Sequence, residues 1–307
     1  MSGNQFFKGR GRAWSHRSVM ALMGSARAGE EPEHVITRLA RDSVADAMAC
    51  GWSGPPFDPE ALSSFRGLKV EPAHWDIRAD ARVFPGPDGK LRIEYDPKKP
   101  RARVNFSICH ELTHTFFPDC YETVRHRRKT GASRGQDFEL ELLCDLGAAE
   151  LLMPAQTFAT DLVEFGTSLE AVKALRSRYV ASSEAVLIRL AQMSPSPCAV
   201  VFLSEKLKPT EERAAATQEF NLGLPPVPAK LRVDYVRPSA SFPIFIPQDK
   251  SVPGASSAYK CLLTEDIASG IERWDINGFG NWSVQAARLP RFEDGAQRVA
   301  ALVLVQT

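Results

Sequence analysis

Two histidines four residues apart, His110 and His114, enclose Glu111 in the run His110-Glu111-Leu112-Thr113-His114. On a helix, positions i and i+4 stand one turn apart on the same face, so both imidazoles can grip one metal ion. Glu111 lies beside them, placed to take a proton from a water that the metal activates. Together these residues can carry metal-assisted hydrolysis of a peptide bond. The element that must position them is a helix of about four turns, framed by Pro100 before it and Pro118 after it. The bland alternative is an amphipathic helix that satisfies two histidines. With six histidines in 307 residues, a chance match to the pattern is expected in roughly one such chain in a hundred.

A catalytic zinc keeps three protein ligands and one open position, so a third ligand must come from elsewhere. The extended spacing HExxHxxGxxH fails here, because Phe117 and Cys120 stand where it needs Gly and His. The downstream run from Phe138 to Pro154, rich in Leu, Ala and Glu, reads as a helix that ends near the proline. Glu141 and Asp145 share one face of that helix. This resembles the gluzincin arrangement, with Glu141 as the third ligand and Asp145 orienting a metal-bound imidazole and fixing its tautomer.

The run Phe106–His114, Glu141, and Ala148-Ala149-Glu150-Leu151-Leu152-Met153-Pro154 together resemble the ImmA/IrrE family of metallopeptidases, as does the leading segment Pro56–Leu62. The likeness covers roughly residues 35–195. Two positions depart from the family pattern: Asp145 stands where Asn is usual, and Gly147 where Phe is usual. The resemblance implies a Zn2+ ion held by His110, His114 and Glu141, with Glu111 as the catalytic residue. It further implies a regulatory enzyme that cuts one substrate, a helix-turn-helix repressor, and so switches on a DNA-damage, mobile-element or phage-defence operon. Single-stranded DNA is the activator expected on this reading. Some members carry a C-terminal sensor domain of GAF-like shape.

Composition is consistent with that picture without pointing to it. The length allows about two domains with ample core in each. Hydrophobic content of 44% and charged content of 24% describe an ordinary globular protein. No apolar run approaches the roughly 20 residues of a membrane span. The N-terminal segment lacks the apolar stretch of a secretory signal, and six irregularly spaced cysteines suit a reducing compartment. The expected location is therefore the cytoplasm, with no membrane partner. The net charge of +1 is silent on nucleic acid.

Along the chain, the expected fold class is α+β. Residues 1–30 read as a basic N-terminal arm carrying Lys8, Arg10, Arg12 and Arg17. Residues 31–154 read as the zinc metallopeptidase domain. Within it, Val35 to Met48 recur at helical spacing up to Gly51. Ala81–Phe84 and Leu91–Tyr95 read as strands about a Pro-Gly turn. Leu91–Tyr95 is the candidate to hold a substrate backbone by strand addition. The loop Arg125-His126-Arg127-Arg128-Lys129 joins the two metal-bearing helices. Arg125, Arg127, Arg128 and Lys129 are candidate nucleic-acid contacts, against the alternative of a solvated charge run.

Residues 155–195 read as three short helices, of which the last two resemble a helix-turn-helix. The presumed recognition helix offers only Arg189 and Gln192 to bases, which favours packing over readout. Ser194-Pro195-Ser196-Pro197 reads as a linker. Residues 198–307 then read as a GAF/PAS-like α/β sensor with strands at Cys198–Leu203, Leu231–Val236, Phe242–Ile246, Ile271–Ile276, Trp282–Ala287 and Val299–Val305, and a helix near Ser257–Asp266. Phe242–Lys250 could line a ligand pocket there, and Trp274 or Trp282 could stack on a single strand.

Cys109, Cys120 and Cys144 lie near the metal residues in sequence, and a thiolate in the fourth metal position would hold the site latent. Small buried apolar side chains are the alternative for each. A competing function is a non-proteolytic DNA- or repressor-binding regulator with a structural zinc site. Such a site has no need of Glu111.

Overall fold

The computed structural model describes residues 13–74, 77, 79–124, 137–217, 228–264, 266–291 and 295–305. Contacts divide the chain into two compact units, one of Lys8–Thr160 with Leu175–Ser182, the other of Asp161–Ala174 with Ser183–Thr307. Helices and two sheets make it a mixed α+β protein. Among the described residues, no helix is long and apolar enough to cross a membrane.

The first unit begins with α1 (Arg17–Leu22), α2 (Pro32–Ala49) and α3 (Pro59–Phe65). Proline stands in the first turn of α2 and α3, where its missing N–H costs nothing. The Asp58 carboxylate accepts from Glu60 N and caps α3. Gly51, at φ +93°, lets the chain turn after α2. Val19 and Leu22 of α1 join Val35, Ile36, Phe117, Leu140, Leu143 and Cys144 in one buried cluster. The arm expected over residues 1–30 is therefore corrected for its second half: from Ser15 onward it is tied into the fold. Ser15 and His16 backbone N–H groups donate to Glu139, and the Ser18 hydroxyl to Asp119.

Three strands follow, β1 (Lys69–Pro72), β2 (Ala81–Pro85) and β3 (Leu91–Tyr95), in the order β1-β3-β2. The short β1 was not foreseen. It pairs parallel to β3, and β2 pairs antiparallel to it from the other side. β3 thus has both edges occupied and cannot accept a substrate strand, which corrects the expectation for Leu91–Tyr95; β1 and β2 are the outer strands. Helix α4 (Arg101–His114) lies along β2 and β3, and α5 (Phe138–Leu152) packs against α4 and α2. The α4–α5 approach is close because of Gly147: a Cβ there would collide with the Thr113 side chain. Any side chain at position 147 would meet Thr113, so the glycine and the close helix approach go together.

Helices α6 (Ala155–Phe165), α7 (Leu169–Tyr179) and α8 (Ser183–Met193) fall where the sequence periodicity puts them. They do not form a body of their own, because the division between units runs within α6 and α7. Tyr179 is fully buried against Phe57 and Phe158 in the first unit. α8 packs on the sheet of the second.

That sheet contains β4 (Cys198–Lys206), β5 (Lys230–Pro238), β6 (Ala268–Glu272), β7 (Trp282–Leu289) and β8 (Arg298–Leu304) in the antiparallel order β5-β4-β8-β7-β6. A helix not foreseen, α9 (Pro209–Thr217), follows β4. One sheet face is covered by α10 (Ser257–Thr264) and by Ile246, Val252, Trp274 and Phe279. On α8, Glu184 bonds Tyr235 of β5 and Arg298 of β8. Ser194–Pro197 is accordingly a tight connection within one unit and not a boundary between units. Arg189 is only 5% exposed, so it cannot read base edges. Phe242–Ile246 forms no strand, because Pro243 and Pro247 supply no N–H to a ladder.

Candidate metal centre

Helix α4 presents His110 and His114 one turn apart, with ring centroids 5.0 Å from each other. Helix α5 brings Glu141, Cys144 and Asp145 to the same place from the other side. Glu141 Oε2 is 3.0 Å from His110 Nε2, and its Oε1 is 3.8 Å from His114 Nε2. Donor atoms of a tetrahedral zinc site, bonded at about 2.0–2.2 Å, stand about 3.3 Å apart. The two distances bracket that value, so the nitrogen and carboxylate donors fit a divalent cation of zinc's size.

Asp145 Oδ1 lies 2.9 Å from His110 Nδ1, on the ring nitrogen facing away from Glu141. That is where an orienting carboxylate fixes which nitrogen carries the proton. Burial works to lower the His110 pKa, but the hydrogen bonds to Asp145 and Glu141 and the charge of Glu111 outweigh it and raise it to about 10. Without a metal, the two carboxylates thus favour the protonated ring. A cation bound there takes the place of that proton.

Glu111 is 3% exposed. Its Oε2 accepts a hydrogen bond of 2.8 Å from the backbone N–H of Val83 on β2. Sequence reasoning missed Val83 because a backbone donor leaves no signature in residue type. The ladder bonds of Asp80 O with Asp96 N and of Gly86 N with Lys90 O flank it, so alternation turns the Val83 N–H away from β3 and toward α4.

Of the three cysteines, Cys144 reaches a candidate metal histidine: its Sγ is 3.3 Å from His114 Nδ1. It is one of the three that the sequence singled out, and it sits beside Asp145 on the same helix. His110, His114 and Cys144 also have potential ligand atoms within 4.8 Å of one another. Burial, and then the charges of Glu141, Glu111 and Asp145, push the Cys144 thiol well up. Burial does the same to Cys109. Cys120 lines a narrow crevice with His114, Phe117 and Asp119. For Cys109 and Cys144 this burial disfavours the thiolate. Arg125, Arg127, Arg128 and Lys129 lie outside the described residues.

In the second unit, a groove of about 500 Å³ is lined by Ile244, Phe245, Pro247, Lys250, Asp275 and Ile276, with Asn277 and Gly278. Trp274 and Trp282 do not face it as stacking platforms. Both are buried, packed on Phe279 at centroid distances of 5.0 and 4.6 Å.

Residues 73–191 match the IrrE N-terminal-like domain, a peptidase family. Among curated proteins, the radiation response metalloprotease IrrE of Deinococcus radiodurans is 26% identical over 139 residues, which is 45% of this chain and 40% of that protein. The match therefore spans well under half of that relative's length. Among solved structures, a Mycobacterium tuberculosis transcriptional regulator superimposes with a TM-score of 0.60 at 12% identity, over 88% of this chain and 76% of that one. At such identity the likeness is one of fold alone.

Proposed function

We propose, from the match of residues 73–191 to the IrrE N-terminal-like domain, that the chain is a regulatory zinc metalloendopeptidase of the ImmA/IrrE kind that cuts a helix-turn-helix transcriptional repressor. The observation that carries this reading is the convergence of the His110 and His114 Nε2 atoms on the Glu141 carboxylate, with Glu111 on the same helix beside them. His110, His114 and Glu141 would hold the ion; the pairing of HExxH with a downstream Glu is that of gluzincins. Zinc, when bound, supplies a Lewis acid for the scissile carbonyl and acidifies water. Asp145 orients His110 through Nδ1. Glu111 acts as general base, accepting a proton from the attacking water and returning it to the leaving amine. The Val83 N–H holds the second carboxylate oxygen in place.

The antiparallel sheet with α10 on one face supports a GAF-like sensor reading of the second unit. A DNA-damage type of signal, with single-stranded DNA as the candidate, would raise activity. The relative's printed description as a radiation response metalloprotease supports that class of signal. Phosphate contacts would show as strong salt dependence.

The test is cleavage of a small helix-turn-helix repressor by zinc-loaded protein, with and without single-stranded DNA. We expect a cut by wild type, none by Glu111→Gln, and faster cutting with DNA; general peptide libraries stay largely intact. Repressor binding without a cut under every condition would replace this reading with that of a non-proteolytic regulator holding a structural zinc.

A further inference from the structure

The two metal histidines are backed differently. His110 has a carboxylate behind it, Asp145 at 2.9 Å, whose side chain is 59% exposed. His114 has a buried thiol behind it, Cys144 at 3.3 Å from Nδ1, with no exposed surface. Cys144 and Asp145 are consecutive on α5, so one turn of that helix addresses both rings. We infer that Cys144 is the positioning residue of His114: its Sγ accepts the Nδ1–H hydrogen bond and aims Nε2 at His110 and Glu141. This rests on the reading of His110, His114 and Glu141 as the ligands.

The geometry decides between this role and a direct Cys144–metal bond. Nδ1 and Nε2 lie on opposite sides of an imidazole ring, and the carboxylate that approaches both histidines does so at Nε2. With Nε2 left for the cation, Nδ1 carries the proton, and the Cys144 sulfur lies within hydrogen-bond reach of it. Packing holds the thiol there: Cys144 shares its cluster with Leu140, Leu143 and Phe117. The pair thus fixes the His114 tautomer by burial, where Asp145 fixes that of His110 by charge.

The experiment uses the full chain as wild type, Cys144→Ser, Cys144→Ala and Glu141→Ala, with folding checked by circular dichroism. Cobalt(II) titrations follow the visible bands of the bound ion, and 15N imidazole spectra of the zinc-loaded wild type report the His114 tautomer. The inference predicts a protonated Nδ1 on His114, and no sulfur-to-cobalt charge-transfer band. It predicts cobalt affinity lowered about 10–100-fold in Cys144→Ala, with much of the loss recovered in Cys144→Ser, whose hydroxyl also accepts. A charge-transfer band in wild type that vanishes in Cys144→Ala would make Cys144 a ligand and overturn the inference. Unchanged affinity in Cys144→Ala, or a protonated Nε2 on His114, would also overturn it. Failure of the wild type to bind cobalt, or undiminished binding by Glu141→Ala, would instead overturn the ligand set beneath it.

Discussion

The backbone N–H of Val83 donates to the Glu111 carboxylate across 2.8 Å, joining an outer strand of the sheet to the residue that follows His110. Its replacement by proline removes that donor and nothing from the strand ladder, since the group faces away from β3, and edge strands tolerate proline at such positions. Val83→Pro should therefore keep the fold and its metal while losing one hydrogen bond to a charged group, worth about 1.5–3 kcal/mol. The expected outcome is a fall in kcat of roughly 10–100-fold with metal content unchanged. Single-turnover cleavage beside a metal assay checks it; an unaltered rate would show that the contact does not orient the base.

Gly147 sits where a Cβ would strike the Thr113 side chain, itself fully buried on α4. Gly147→Ala should cost about 1–3 kcal/mol through overpacking. Thr113→Ala in the same chain should return part of that loss. Denaturant unfolding of the two single variants and the double variant measures the coupling. Additive effects would mean that the helices separate freely enough to admit the methyl group.

The pH dependence of the metal-free protein follows from His110. Its folded pKa is raised from 6.5 to about 10, because hydrogen bonds to Asp145 and Glu141 outweigh the opposing effect of burial. A raised pKa adds stability that is fully present below the unfolded value and lost as pH rises through the folded one. Chelator-treated protein should thus lose a component of stability between about pH 6.5 and about pH 10. Zinc-loaded protein should lack that loss, because the ion has taken the proton's place. Thermal melts across this window, with and without zinc, read the difference, and Asp145→Asn should reduce it.

Much of the site's composition can be read from the sequence because it is periodic. His110 and His114 repeat at one helical turn, as do Glu141 and Asp145, and helix geometry converts that spacing into a shared face. Bringing the two helices together is a tertiary matter. It depends on Gly147 yielding space to Thr113, which no local pattern announces. The sheet shows the same limit. Alternation and the turn at Gly89 locate β2 and β3, but only the arrival of the short β1 makes β3 central and leaves β2 at the edge. Val83 is out of reach for a different reason, since its contribution is a backbone N–H. In the second unit, proline disqualifies Phe242–Ile246 as a strand, a rule that local hydrophobicity obscured.

The most direct test compares wild type with Glu111→Gln at matched zinc occupancy, measuring the rate of repressor cleavage. The amide keeps the shape of the side chain and cannot accept the proton, so zinc content should stay the same and the rate should fall roughly 10²–10⁴-fold. A Glu111→Gln protein that binds zinc and cuts within a few-fold of wild type would contradict the account, since the helix would then hold a metal without supplying its base.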